Sequence, residues 1–149
     1  MLFATPGNSP LADRDSDGLP DIYEIETYGN TNFIGNAING DTDGDGASDF
    51  AEYIAGTSAT NANSRFKLTA NRQADGNVKI SFQAEAINAP AYFNAERRYD
   101  LLQTTNPTSP SSWSLLPGYT DILGAGSIVN YTNAPTNTTW SVRARVRLQ

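Results

Sequence analysis

The sequence contains no cysteine and no histidine. Without cysteine there are no disulfides, and a small acidic region outside the cytosol then needs another stabiliser, for which bound metal is a common substitute. The same two absences exclude Ser-His-Asp and Cys-His nucleophiles and the usual zinc sites. No apolar run approaches the ~20 residues that cross a bilayer. We therefore expect neither a membrane-inserted segment nor an enzyme of these classes.

Acidic and basic residues are unevenly distributed along the chain. Residues 1–64 hold 11 of the 16 acidic residues and one of the 10 basic residues, which is a net charge of −10. Residues 65–149 hold the remaining five acids and nine bases, a net charge of +4. This change predicts a domain boundary near residue 65. The overall charge of −6 argues against nucleic acid as a partner.

The acid-rich part contains an internal repeat. The segment DRDSDGLPDIYE begins at Asp13, and DTDGDGASDFAE begins 28 residues later at Asp41. A calcium loop of the EF-hand type supplies oxygens from positions 1, 3, 5, 7 (a carbonyl), 9 and 12, with glycine at position 6. In the first loop these are Asp13, Asp15, Asp17, the carbonyl of Leu19, Asp21 and Glu24. In the second they are Asp41, Asp43, Asp45, the carbonyl of Ala47, Asp49 and Glu52. The pattern predicts two bound Ca²⁺ ions.

Each loop is followed by a short apolar run and a glycine, Gly29 or Gly56. This predicts one or two helical turns that end at the glycine. A solvated acidic linker is the alternative, but such a linker has no need for apolar turns that must pack. The ten loop carboxylates repel one another, so we expect the lobe at 13–64 to depend on calcium for its fold.

From residue 65 onward, apolar residues alternate with polar ones, as is typical of strands. The Ala-Asp-Gly-Asn at 74–77 predicts a hairpin turn between two such runs. Further strands are predicted at 98–104, 112–116, 127–132 and 139–148. The expected fold is mainly β, with an antiparallel β-sandwich of the immunoglobulin or fibronectin type III kind at 65–149.

Both loops lack an incoming helix and resemble the thrombospondin type 3 and dockerin class of calcium repeats. The stretch DTDGDGASDFAEYIAGTSATNANSRF, residues 41–66, is most similar to Asp-rich repeats that precede C-terminal β-domains in large secreted bacterial proteins. The phrases RYDLLQTTN, SWSLLPG and TTWSVRARVRL resemble strands of those domains. The resemblance implies a secreted or surface location, calcium as ligand, and no catalytic activity.

Residues 1–12 are predicted to be an extended N-terminal segment, with a short apolar strand candidate, Leu2-Phe3-Ala4, followed by two prolines and a glycine. Such a strand can complete an open sheet edge of another subunit. The alternative is a frayed terminus.

The leading functional expectation is a calcium-stabilised extracellular structural or adhesive module, and a candidate repeating subunit of a filament assembled head to tail. A stripe of Arg143, Arg145 and Arg147 is either a docking surface for an acidic partner or a solvated face. The alternative function is a carbohydrate-binding module of a secreted hydrolase. Four aromatic residues would then stack on sugar or, alternatively, belong to the core; they are Trp113, Tyr119, Tyr131 and Trp140.

Overall fold

A computed structural model of the chain describes residues 12–31, 39–134 and 140–149. These residues contain two short α-helices, α1 (Asp21–Tyr28) and α2 (Asp49–Ala55). They also contain seven strands: β1 (Thr69–Arg72), β2 (Val78–Ala84), β3 (Arg97–Thr104), β4 (Ser114–Leu115), β5 (Ile122–Leu123), β6 (Ser127–Asn133) and β7 (Ser141–Leu148). The predicted N-terminal strand Leu2-Phe3-Ala4 lies outside the described residues. Neither helix is long and apolar enough to cross a membrane.

The chain forms two compact units. The helix unit contains the described residues up to Arg65 together with Ile87–Ala95, and the β unit contains Phe66–Ala86 and Glu96–Gln149. The connection between β2 and β3 therefore belongs to the helix unit, although its place in the sequence is inside the β region predicted at 65–149. The reason is burial, because Ala91 and Tyr92 of this connection are 0% and 9% exposed.

Both helices end, and α2 also begins, as local chemistry predicts. Helix α1 follows Pro20, and α2 follows Ser48, whose side chain accepts a hydrogen bond from the Ala51 amide at 3.2 Å. Each helix ends at a glycine in the left-handed conformation, Gly29 at φ 84° and Gly56 at φ 77°. Only glycine adopts this conformation at little cost. The predicted loop–helix repeats are thus confirmed.

Sheet A consists of β1, β2 and β6, all antiparallel in the order β1-β2-β6. The β1–β2 hairpin closes through a bond from the Gln73 amide to the Asn77 carbonyl at 2.8 Å, with Gly76 at φ 86°. This confirms the predicted hairpin turn. Strand β1 begins later than the alternating pattern suggests, and Phe66 and Leu68 precede it while still packing against the core.

Sheet B is built around β3. Strand β7 pairs with β3 over its whole length, from Arg97↔Leu148 to Thr104↔Ser141, and therefore occupies one edge. Strands β4 and β5 share the other edge, at Gln103↔Ser114 and at Tyr99↔Ile122. The predicted strand at 112–116 is reduced to two residues. Strand β5 was not predicted, since two residues carry no periodicity.

The apolar side chains of the two sheets meet in one cluster. Phe82 and Ala84 of sheet A lie with Tyr99 and Leu101 of sheet B, and all four are at most 3% exposed. The rings of Phe82 and Tyr99 are 5.4 Å apart. The inward residues Val142, Ala144 and Val146 of β7 pack against this cluster, as their alternation predicts. The β unit is therefore a two-sheet antiparallel structure with a shared core.

Candidate metal centres

Carboxylates of the first half of each loop converge. Asp13, Asp15 and Asp17 place one oxygen each within 4.8 Å of one another, and so do Asp41, Asp43 and Asp45. Two oxygens that bind the same ion at about 2.4 Å can be no more than about 4.8 Å apart. Each cluster therefore has the dimensions of a site for one calcium-sized cation.

The two loops turn in the same way. In each, the aspartate at position 1 accepts a hydrogen bond from the glycine amide at position 6, Gly18 to Asp13 at 3.0 Å and Gly46 to Asp41 at 2.8 Å. These glycines have φ values of 95° and 94°. Side chains other than glycine are strained in this conformation. The sequence repeat is therefore also a repeat of backbone geometry.

The aspartates at position 9 close the loops. The Arg14 amide donates to Asp21 Oδ1 and the Thr42 amide to Asp49 Oδ1, both at 2.9 Å. Asp49 Oδ2 also accepts from Thr42 Oγ1 at 2.7 Å. Position 9 of such loops often acts on the ion through a water. Asp21 and Asp49 therefore tie the second residue of each loop to the start of the helix rather than joining the three-oxygen cluster.

The glutamates at position 12 lie in the first turn of each helix and are buried, Glu24 at 0% and Glu52 at 1% exposure. Glu52 Oε1 accepts a hydrogen bond from Thr57 Oγ1 at 3.0 Å, whereas its buried Oε2 has no hydrogen-bond partner among the described residues. Burial raises the pKa of Glu52 to about 7, although the hydrogen bond from Thr57 acts to lower it. The charges of nearby loop aspartates contribute to this raised pKa; they are Asp43, Asp45 and Asp49. A carboxylate placed in this way is suited to a cation.

The second loop has two further features. Asp43 Oδ2 is buried without a hydrogen-bond partner in the part of the chain described, which is a second oxygen suited to an ion. Arg65 Nε lies 2.8 Å from Asp45 Oδ2. Sequence reasoning missed Arg65, which is 20 residues beyond Asp45. The available signal was that Arg65 is the first base after the acid-rich repeat.

The oxygens that each loop offers can be counted against the number that calcium takes. Three aspartates, the position-7 carbonyl and a bidentate glutamate supply about six oxygens, the lower end of the range that calcium takes. The carbonyl residues are held in place, because the Leu19 amide donates to Asp17 at 2.9 Å and the Ala47 amide to Asp45 at 2.7 Å. Such a set of oxygen donors favours a hard cation.

The arginine stripe of β7 is engaged within the β unit. Arg145 and Arg147 lie 2.8 and 3.0 Å from the carboxylate of Asp100, which is 2% exposed. Burial raises the pKa of Asp100, but hydrogen bonds from the Asp121 amide and the two guanidinium groups outweigh it, so the pKa lies below its usual value. Arg143 lies 4.4 Å from the ring centroid of Trp113.

Three of the four aromatics predicted for sugar stacking contact one another, and the ring of Tyr131 lies 5.9 Å from that of Trp140. Tyr119 and Tyr131 pack edge to face at 5.0 Å against the core cluster. Trp140 donates from Nε1 to Gln103 Oε1 at 3.2 Å and lines a cavity of about 320 Å³ with hydroxyl-bearing neighbours. Two of these hydroxyls, on Thr104 and Ser112, share one hydrogen bond at 2.8 Å.

Comparison of the chain with protein-family models, curated proteins and solved structures found no match. The resemblance to thrombospondin type 3 and dockerin repeats therefore stays a prediction from the loop motif. Function must be inferred from the geometry of the two loops themselves.

Proposed function

We propose that residues 13–24 and 41–52 each bind one Ca²⁺ and that the chain is a non-enzymatic, calcium-stabilised structural or adhesive module of secreted or surface location. The observation that carries this proposal is the duplicated loop geometry, in which three aspartate oxygens gather within 4.8 Å. The buried Oε2 of Glu52, which has no hydrogen-bond partner in the described residues, supports it independently.

Calcium fits the donor set better than other common ions. Cysteine and histidine are absent from the whole chain, so the ligands that zinc prefers are missing. Magnesium demands a nearly ideal octahedron and retains several waters, whereas a bidentate glutamate suits the larger and more flexible calcium shell. When bound, the ion supplies positive charge and holds the oxygen ligands of the loop in fixed positions.

The residues of each loop then hold the helix that follows. Glu24 and Glu52 belong to the first turn of α1 and α2, so ligation by their carboxylates joins each helix to its loop. Two ions add four positive charges to a region of net charge −10. Calcium should therefore stabilise the fold of this region, in a chain that has no disulfides to do so.

We infer that the β unit is an antiparallel sandwich that serves as the scaffold of the module. Its support is the single apolar cluster, to which both sheets contribute. The finer resemblance to immunoglobulin or fibronectin type III domains is part of this proposal.

Self-association through the N-terminal segment also belongs to the proposal. Among the strands of seven or more residues, β6 and β7 each pair with one neighbour in the described part of the chain, which leaves one edge of each for an added strand. Strand β7 carries three arginines, which protect an edge, whereas β6 (SIVNYTN) has no charged residue. The outer edge of β6 is therefore the better acceptor for residues 1–10 of another subunit. Glycan binding stays a prediction from the sequence.

The ligand assignment is tested by removing one bidentate carboxylate at a time. Isothermal titration calorimetry should count two calcium ions in the parent protein and one in each of Glu24→Gln and Glu52→Gln. Glu26→Gln is the matched control, because Glu26 is an exposed acid of α1 outside the ligand positions. A parent that binds no calcium contradicts the proposal, and so does a Glu26→Gln variant that loses one ion.

A further inference from the structure

The connection between β2 and β3 contributes to the helix unit. It contains a short 3-10 turn, Pro90–Tyr92, in which Ala91 is 0% and Tyr92 is 9% exposed. Helix α1 packs against this turn. A distant part of the sequence thus supplies core residues to a region whose large buried apolar side chains, among the described residues, are those of Leu19, Tyr23 and Tyr53.

The 3-10 turn contacts α2 through the ring of Tyr92 and through two hydrogen bonds. Its ring stacks on that of Tyr53, with centroids 4.8 Å apart and planes 8° from parallel. The Tyr92 hydroxyl donates to the Tyr53 carbonyl at 2.8 Å, and the Tyr53 hydroxyl donates to the Ala91 carbonyl at 3.2 Å. Both hydrogen bonds are buried, so they fix the turn and the helix against each other.

The same ring cluster reaches both calcium loops. Tyr53 directly follows Glu52, and Tyr23 directly precedes Glu24. The rings of Tyr23 and Tyr53 are 4.9 Å apart at 65°, and that of Tyr23 lies 6.5 Å from that of Tyr92. The residues beside the two bidentate glutamates are therefore packed on one another and on Tyr92.

We propose that Tyr92 is a positioning residue for both calcium loops and acts on them through its ring contacts with Tyr53 and Tyr23; this inference rests on the proposed calcium function. Tyr92 binds no ion. It holds α1 and α2 in the arrangement in which Glu24 and Glu52 both face their loops. Calcium affinity at both sites consequently depends on a residue 40 positions beyond the nearest ligand.

The physical basis is the population of the binding-competent state. Apparent affinity equals intrinsic affinity multiplied by the fraction of protein that already has the bound arrangement. Repulsion among the loop carboxylates lowers this fraction without the ion, and aromatic stacking offsets it. Loss of the Tyr92 ring should lower the fraction for both loops together, because Tyr23 and Tyr53 share it as a neighbour.

The experiment is a calcium titration of the full chain by calorimetry, with near-ultraviolet circular dichroism of the tyrosines as a second readout. Tyr92→Ala should weaken both sites by about tenfold or more, and Tyr92→Phe, which keeps the ring, should recover affinity to within about threefold of the parent. Because Tyr92→Phe removes one of the tyrosines that give this signal, its dichroism is compared between the calcium-free and calcium-saturated forms of the same variant, and calcium should change it in the same direction as in the parent. Phe93→Ala, which changes an adjacent side chain that is 54% exposed, is the control and should match the parent.

Parent-like affinity of Tyr92→Ala would overturn the inference, as would a failure of Tyr92→Phe to recover affinity. If Tyr92→Ala does not fold, Tyr92→Leu keeps a buried apolar side chain without the flat ring, and the same tenfold loss is expected. Absence of calcium binding by the parent refutes the proposed function instead, so the two failures are distinct.

Discussion

Replacing Asp100 with asparagine removes one negative charge from the middle of β3 while nearly preserving the shape of the side chain. Asp100 is 2% exposed and pairs directly with Arg145 across the sheet. Its carboxylate accepts from the Asp121 amide at 2.9 Å and from Arg147 Nε at 3.0 Å. The loop that carries Asp121 is thereby held to sheet B.

The cost of this substitution follows from the exposure of the partners. Breaking a fully buried ion pair costs about 3–5 kcal/mol, because it leaves a buried charge without compensation. Here the Arg145 and Arg147 side chains are 49% and 31% exposed, so they can turn to water. The remaining loss is that of the charge-assisted hydrogen bonds, for which we expect about 2 kcal/mol.

Thermal unfolding followed by circular dichroism measures this loss. If the whole chain unfolds as one, about 2 kcal/mol lowers Tm by about 6 °C, and by about twice as much if the β unit unfolds alone. The pH dependence gives a second check. The pKa of Asp100 is lowered in the folded protein, so its stabilisation is present above the unfolded value and is lost as pH falls through the folded value. The difference between parent and variant should thus be full at neutral pH and shrink below about pH 4.

Glu96→Gln is the matched control, because Glu96 forms an ion pair with Arg98 but its side chain is 55% exposed. Its effect should be much smaller than that of Asp100→Asn. Equal and small effects of both substitutions would refute the assigned role of Asp100. Arg145 and Arg147 would then be available as the docking stripe that their spacing suggests.

Two further predictions concern the β unit and its assembly. A Cβ at Gly124 would lie 2.2 Å from the Glu85 carbonyl oxygen, so Gly124→Ala should lower the free energy of unfolding, measured with denaturant, by about 2–3 kcal/mol. The control is Gly118→Ala, whose Cβ meets no atom within 4 Å and which should cost only about 1 kcal/mol because of its positive φ. Equal losses for the two variants would contradict the steric explanation. If residues 1–10 add to the edge of β6 in another subunit, deleting them should reduce the particle size measured by light scattering. An unchanged particle size would rule out strand donation by this segment.

The two acidic loops show how far local sequence reaches. Their convergent aspartates follow from a twelve-residue pattern, because a loop of this kind is defined by contacts within itself. The bonds from Gly18 to Asp13 and from Gly46 to Asp41 span only five residues. The helix ends at Gly29 and Gly56 are local in the same sense.

The strands were partly predictable for a related reason. Long alternating runs such as β2 and β7 place apolar residues on one face, and burial of that face decides the structure. Strand β5, with two residues, exists only because β3 offers it an edge at Tyr99 and Arg98. No periodicity can reveal a strand whose partner defines it.

The sequence by itself determined the two acidic loops, the helices that follow them and the alternating strands, since each depends on residues a few positions apart. Tertiary structure alone decided that Arg65 pairs with Asp45, that Asp100 gathers Arg145 and Arg147, and that Tyr92 enters the helix unit. These contacts join residues 20 to 69 positions apart, and the longest separation is that between Tyr23 and Tyr92. Their partners are chosen by which surfaces fold together, and short-range propensity contains no information about that choice.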